Sequence, residues 1–154
     1  MSWQTDSTTG EPTSDIDATE HVGLPAPARP LTVVFGSAVL VVGGLFGVVQ
    51  KVLNPLVAPA ELAGVGVAFA YVLLLGLDVL SIVAGVLLRR GQTWILAANV
   101  AAVYAFIHLA IVTLTGVIFS AIYLAVVVAC FVARDWFEAM RAWRVARFEA
   151  RLTR

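Results

Sequence analysis

The residues that could do chemistry in this chain stand where charge is expensive. Asp78 is the only charged side chain in the apolar stretch Val65–Leu88. It lies ten residues before Leu88, so about 15 Å inside that end at helical rise. An ionised aspartate at the centre of a membrane helix costs ~2.5–3.5 kcal/mol on insertion scales. It must face a protein interior, hold a partner, or take up a proton. The same depth count brings in other polar groups. Tyr104 lies ten residues after Trp94, and Tyr123 eleven before Arg134. His108 and Ser120 lie about one turn, ~5–6 Å, further on. Tyr104 and His108 share a helical face at i, i+4. Tyr71, Asp78 and Ser81 share one at spacings of seven and three, and Ser120, Tyr123 and Cys130 line a stripe. The expected midplane cluster is therefore Asp78, Ser81, Tyr104, His108, Ser120 and Tyr123. One chemistry it suits is proton exchange between Asp78 and His108, with the tyrosines as donors. The simpler account is a buried polar network that sets helix register. One Asp and one His fall short of the charge chain expected of a pump.

Other chemistries lack their residues. Cys130 is the single cysteine, so no intrachain disulfide forms. His21 and His108 are far apart and give no zinc spacing. The sequence has no phosphate-binding glycine loop, nucleophile elbow, HExxH or CxxC. The polar segments are too small for an enzyme domain. The expectation is a protein without enzymatic activity, metal or cofactor.

These residues need helices in lipid to position them. The 154 residues are 60% hydrophobic and 13% charged. Soluble domains run near 45–50% apolar and about 25% charged, so the chain reads as an integral membrane protein. Four apolar segments, 31–50, 65–88, 93–113 and 117–133, match the roughly 17–25 residues a span requires. The fourth is the shortest and is expected to borrow from Leu114–Gly116. The fold class expected is all-α, a four-helix transmembrane bundle over 31–133. Asn54-Pro55 and Pro59 should break helix in the loop from Lys51 to Gly64. Pro59 and Glu61 suit the first turn of the second helix. Gly91 should take a left-handed C-cap in the Arg89–Gln92 turn. Residues 1–30 are acidic and proline-containing and read as a disordered tail without a signal peptide. Its last part, from Leu24 to Pro30, should be extended. Residues 134–154 read as a basic, aromatic C-terminal helix.

Charge sets the expected orientation. Net charge is zero, but the basic residues are unevenly placed. With four spans, one side holds Arg29, Arg89, Arg90 and six tail arginines, and the other holds Lys51 alone. Lysine and arginine mark the cytoplasmic side, so both termini should be cytoplasmic, in a bacterial inner membrane. Arg89, Arg90, Trp94, Arg134, Trp136, Arg141 and Arg144 should meet lipid headgroups. In the tail, Trp136, Met140 and Trp143 form one stripe, and Phe137, Val145, Phe148 and Leu152 another. Interleaved acids argue against nucleic acid as a partner. Gly36, Gly43 and Gly47 share a face of the first helix that admits a close neighbour. That neighbour is either a second helix of this chain or a partner, including another copy.

The stretch Gly85-Val-Leu-Leu-Arg-Arg-Gly-Gln-Thr-Trp94 and the exit Ala133-Arg-Asp-Trp-Phe137 resemble small, largely uncharacterised four-helix membrane proteins of actinobacterial type. The likeness spans most of 31–137 in pattern and implies the same bundle. A second similarity is to DoxX-like four-helix proteins. It rests on a Gly-rich first helix ending in lysine (Gly43–Lys51) and a central acid after Gly-Leu (Gly76-Leu77-Asp78); the rest of that pattern is not matched. Neither resemblance implies a particular reaction. The leading functional expectation is a non-enzymatic accessory or partner-binding protein. The alternative is a small transporter, channel or phage-type pore or exclusion protein using the Asp–His–Tyr cluster.

Overall fold

A computed structural model describes residues 25–53, 65–110 and 113–152. The expectations for the tail before residue 25, and for Asn54, Pro55, Pro59 and Glu61, lie outside the described residues. Among the described residues the chain forms five helices and no strand. They are α1 (Leu31–Leu53), α2 (Val65–Arg89), α3 (Trp94–Ala110), α4 (Leu114–Val132) and α5 (Arg134–Leu152). Segments of α1, α2 and α4 are long and apolar enough to cross a membrane; α3 is apolar but has 17 described residues.

The helix ends follow local chemistry. Pro30 lacks an amide donor, yet its carbonyl accepts from Val33 and Val34 and starts α1. Gly91 takes φ +67°. Its amide bonds to Leu88 O at 2.9 Å, and Gln92 N bonds to Leu87 O at 3.0 Å. This is the expected left-handed stop in Schellman form. Thr113 caps α4, its Oγ1 accepting from Gly116 N at 3.1 Å. The fourth helix therefore does include Leu114–Gly116, as expected. Helix ends differ from the expected ones by a few residues, and the difference that bears on the site is α1, which runs through Lys51 to Leu53 rather than ending at Gln50. Proline chiefly restricts the residue before it, so Asn54-Pro55 leaves Lys51 free to stay helical.

α1 pairs with α2 and α3 with α4, and the hairpins meet through α1–α4 and α2–α3 contacts. The core is largely apolar, yet it holds several polar side chains while large apolar ones face outward. Ser37, Asp78, Ser81 and Ser120 are buried. Outward stand Phe35, Phe46, Phe69, Phe106, Ile118 and Phe131. A soluble monomer rarely exposes a contiguous apolar area above a few hundred Å².

α5 does not simply prolong α4. Ala133 leaves helical geometry at φ −86°, ψ 6°. Beyond it, Trp136 and Met140 pack against Gly91, and the Arg144 guanidinium donates to the Gly91 carbonyl. Three residues at i, i+4 and i+8 thus bring one face of α5 against the α2–α3 turn at Gly91. Phe137 is buried there, and Trp136 Nε1 donates to Pro27 O at 3.3 Å.

Candidate functional site

The site forms where α1 and α2 approach most closely. Gly44 and Gly47 let the backbones meet. A Cβ on Gly44 would stand 2.6 Å from the Asp78 carbonyl oxygen, and one on Gly47 would overlap the Asp78 carboxylate. On the facing helix Gly85 does the same, with Ser37 O 2.9 Å from where its Cβ would be. Ser81 Oγ donates to Leu40 O at 2.8 Å and fastens the same seam. These contacts fix an antiparallel register in which Gly47 is level with the Asp78 side chain and Lys51 stands one turn beyond.

Lys51 completes the site. Side chains of a helix lean toward its N-terminus, so Lys51 reaches back along α1 toward Asp78. Its Nζ lies 2.5 Å from Asp78 Oδ2. The Tyr104 hydroxyl of α3 donates to the other oxygen, Oδ1. The Tyr71 hydroxyl donates to Lys51 O at 2.6 Å, satisfying a carbonyl in the last turn of α1, where intrahelical donors run out. The Asp78 side chain is 4% exposed and that of Lys51 21%. One carboxylate thus ties α1, α2 and α3, and the paired charges sum to zero.

Rings extend the group into α4. Tyr104 stacks on Tyr123 at 4.8 Å between centroids and 13° between planes. Tyr123 stacks on His108 at 5.6 Å, and His108 on Phe119 at 5.3 Å. The rings alternate between α3 and α4. The sequence cluster therefore assembles in part. Asp78, Tyr104, Tyr123 and His108 are contiguous, whereas Ser81 is turned to α1 and Ser120 is buried on α4. His108 meets tyrosine rings, and Tyr104 rather than His108 takes the carboxylate. The residue missed from sequence is Lys51, because the helix was ended one residue before it. Its signal was present: it is the lone lysine or arginine from Leu31 to Leu88.

The glycine face of α1 has its answer as well. Gly36 faces Leu88 and Val126, Gly43 faces the Tyr123 hydroxyl, and Gly47 faces Asp78. This chain's own helices fill the face that would otherwise admit a partner or a second copy. Among the expected headgroup residues, Trp136 and Arg144 are engaged inside the chain. Arg134 pairs with Glu138 at 2.9 Å. Arg89, Arg90 and Arg141 are exposed. Trp94 packs edge-on against Phe131 at 5.3 Å.

No family model, curated protein or solved structure matches the chain. Among the described residues no group of three His, Cys, Asp or Glu is placed to hold a metal ion. What the arrangement can do rests on its geometry. Each carboxylate oxygen accepts from one donor of the chain, so the ion pair joins helices.

Proposed function

We propose that the chain is a four-span inner-membrane protein with both termini cytoplasmic, acting as a non-enzymatic accessory or partner-binding protein. The four-span reading rests on depth. Tyr104 of α3 meets Asp78 of α2 about 16 Å from Arg89 and about 15 Å from Trp94, counted at 1.5 Å per residue. A helix whose middle is level with the middle of a spanning neighbour shares its bilayer. Nine basic residues on one side against Lys51 on the other support the orientation. Pairing with Asp78 sharpens that split, since the far-side cation is neutralised.

The observation that carries the role is the occupancy of Asp78 by Lys51 and Tyr104. Both oxygens of this intramembrane carboxylate are held by donors from other helices of its own chain, which suits a pair that fastens the helices. The working surface is then the outside of the bundle and α5. A transport reading draws on one feature, the His108 ring stacked into the same layer as the Asp78-bound tyrosine.

Reconstitution separates the two. Purified protein in liposomes is challenged with a pH gradient, wild type beside Asp78→Asn, with helicity verified. The accessory reading expects proton flux equal to that of empty liposomes. Flux that vanishes in Asp78→Asn would overturn it in favour of transport.

A further inference from the structure

A cavity of about 220 Å³ is lined by residues 92–95 and, from α5, by Phe137, Glu138 and Arg141. That is many times the ~10–15 Å³ one water needs. Its charges are unbalanced. Glu138 is already countered by Arg134 at 2.9 Å. Among the described residues Arg141 has neither an ion-pair nor a hydrogen-bond partner. The walls are the Trp94 indole and the buried Phe137 ring.

A second observation comes from the phase of α5. At about 100° per residue, Phe137, Arg141, Val145, Phe148 and Leu152 fall within roughly 80° of one another. Val145, Phe148 and Leu152 are exposed. That sector also carries Arg134, which is paired with Glu138, and its apolar residues beyond the buried Phe137 are uncovered. Such a helix with arginines beside an apolar stripe suits the headgroup layer. Arg141 is the cation of that sector with no acid partner among the described residues, and an anionic headgroup at that depth complements it. Beside the cavity, Ile95 and Phe131 are exposed on α3 and α4, and they offer an apolar path for acyl chains.

We propose that this cavity seats the phosphate of an anionic phospholipid from the leaflet α5 faces. Arg141 is its cationic ligand, and Trp94 and Phe137 are its walls. The proposal rests on the membrane reading and adds a discrete lipid site to it. Glu138 stays on Arg134, so Arg141 is the unpaired charge that the phosphate meets.

The test uses the full chain extracted from membranes washed at alkaline pH. It is titrated with phosphatidylglycerol or phosphatidylcholine of the same acyl chains, and retained lipid is counted by native mass spectrometry. Wild type should retain the first phosphatidylglycerol about fivefold better than phosphatidylcholine, the effect of one well-placed basic residue. Arg141→Gln should bring the two lipids to parity with helicity unchanged, and Arg141→Lys should keep most of the preference. Arg147→Gln serves as the control and should behave as wild type, because Arg147 lies over the Trp143 ring at 5.1 Å. Equal retention in wild type, or full preference in Arg141→Gln, would overturn the site. Inorganic phosphate that displaces the lipid would assign the cavity to a soluble phosphate ligand and overturn the lipid assignment. Protein stripped off by the alkaline wash would sink the membrane reading itself, a result distinct from the others.

Discussion

Lys51→Met is the sharpest perturbation the site offers. It keeps the length and apolar stem of the side chain and removes the ammonium 2.5 Å from Asp78 Oδ2. The carboxylate left behind is 4% exposed on its side chain, with only the Tyr104 hydroxyl still donating to it. Removing one partner of a buried pair costs about 3–5 kcal/mol. The lower end applies here, because a helix unfolded within lipid finds other partners. The reverse change, Asp78→Asn, leaves Lys51 without its anion. Lys51 lies two residues from the end of α1 and is 21% exposed on its side chain, so its stem can swing to the interface. Asp78→Asn should therefore cost only about 1 kcal/mol, as for a lost hydrogen bond. The double variant has no orphaned charge and should lie within about 1 kcal/mol of wild type, as replaced ion pairs often do. The cycle then yields a coupling of about 3 kcal/mol or more. Tryptophan fluorescence during reversible SDS unfolding in mixed micelles measures all four proteins. Single effects that add to within ~0.5 kcal/mol, the range for independent sites, would refute the pair. Equal single effects would refute the snorkelling argument.

Three further substitutions probe the same seam and its neighbours. Gly44→Ala should destabilise by about 1–3 kcal/mol through overpacking against Asp78 O and Ile82. Gly76→Ala, with nothing within 4 Å of its Cβ, should be neutral or stabilise by a few tenths of a kcal/mol; the same unfolding assay ranks the two. Tyr104→Phe removes the donor to Asp78 Oδ1 while keeping the Tyr123 stack. It should cost about 0.6 kcal/mol, the average for interhelical hydrogen bonds in lipid, and leave near-ultraviolet circular dichroism close to wild type.

Much of this arrangement was legible because lipid simplifies the sequence code. Long apolar runs have few alternatives to helix, so helices appear in all four expected segments, offset by a few residues. A lone acid in such a run draws attention, and counting rise per residue from the charged ends brought Tyr104 and Tyr123 to its level. Gly91 was readable as a turn because a left-handed C-cap favours glycine. The same count could not separate Ser81 from the cluster. Depth fixes how far along an axis a residue lies and says nothing of which neighbour it faces. Ser81 shares a face with Asp78 but points to Leu40 O.

Lys51 escaped for a related reason, and it shows what the counting leaves out. A depth count places Cα atoms, whereas a lysine acts at the end of a four-carbon stem. In α1 that stem leans back toward the helix start, so the charge lies about a turn deeper than its Cα. The carboxylate of α2 is met from above by this cation and from the side by Tyr104. The glycine at Gly47 clears the space in which they meet. A larger residue there would separate the seam and lengthen the ion pair together. Gly47 is thus as much a part of the charged site as Lys51, although it carries no functional group. Its place is explained by the carboxylate it faces, without a second chain.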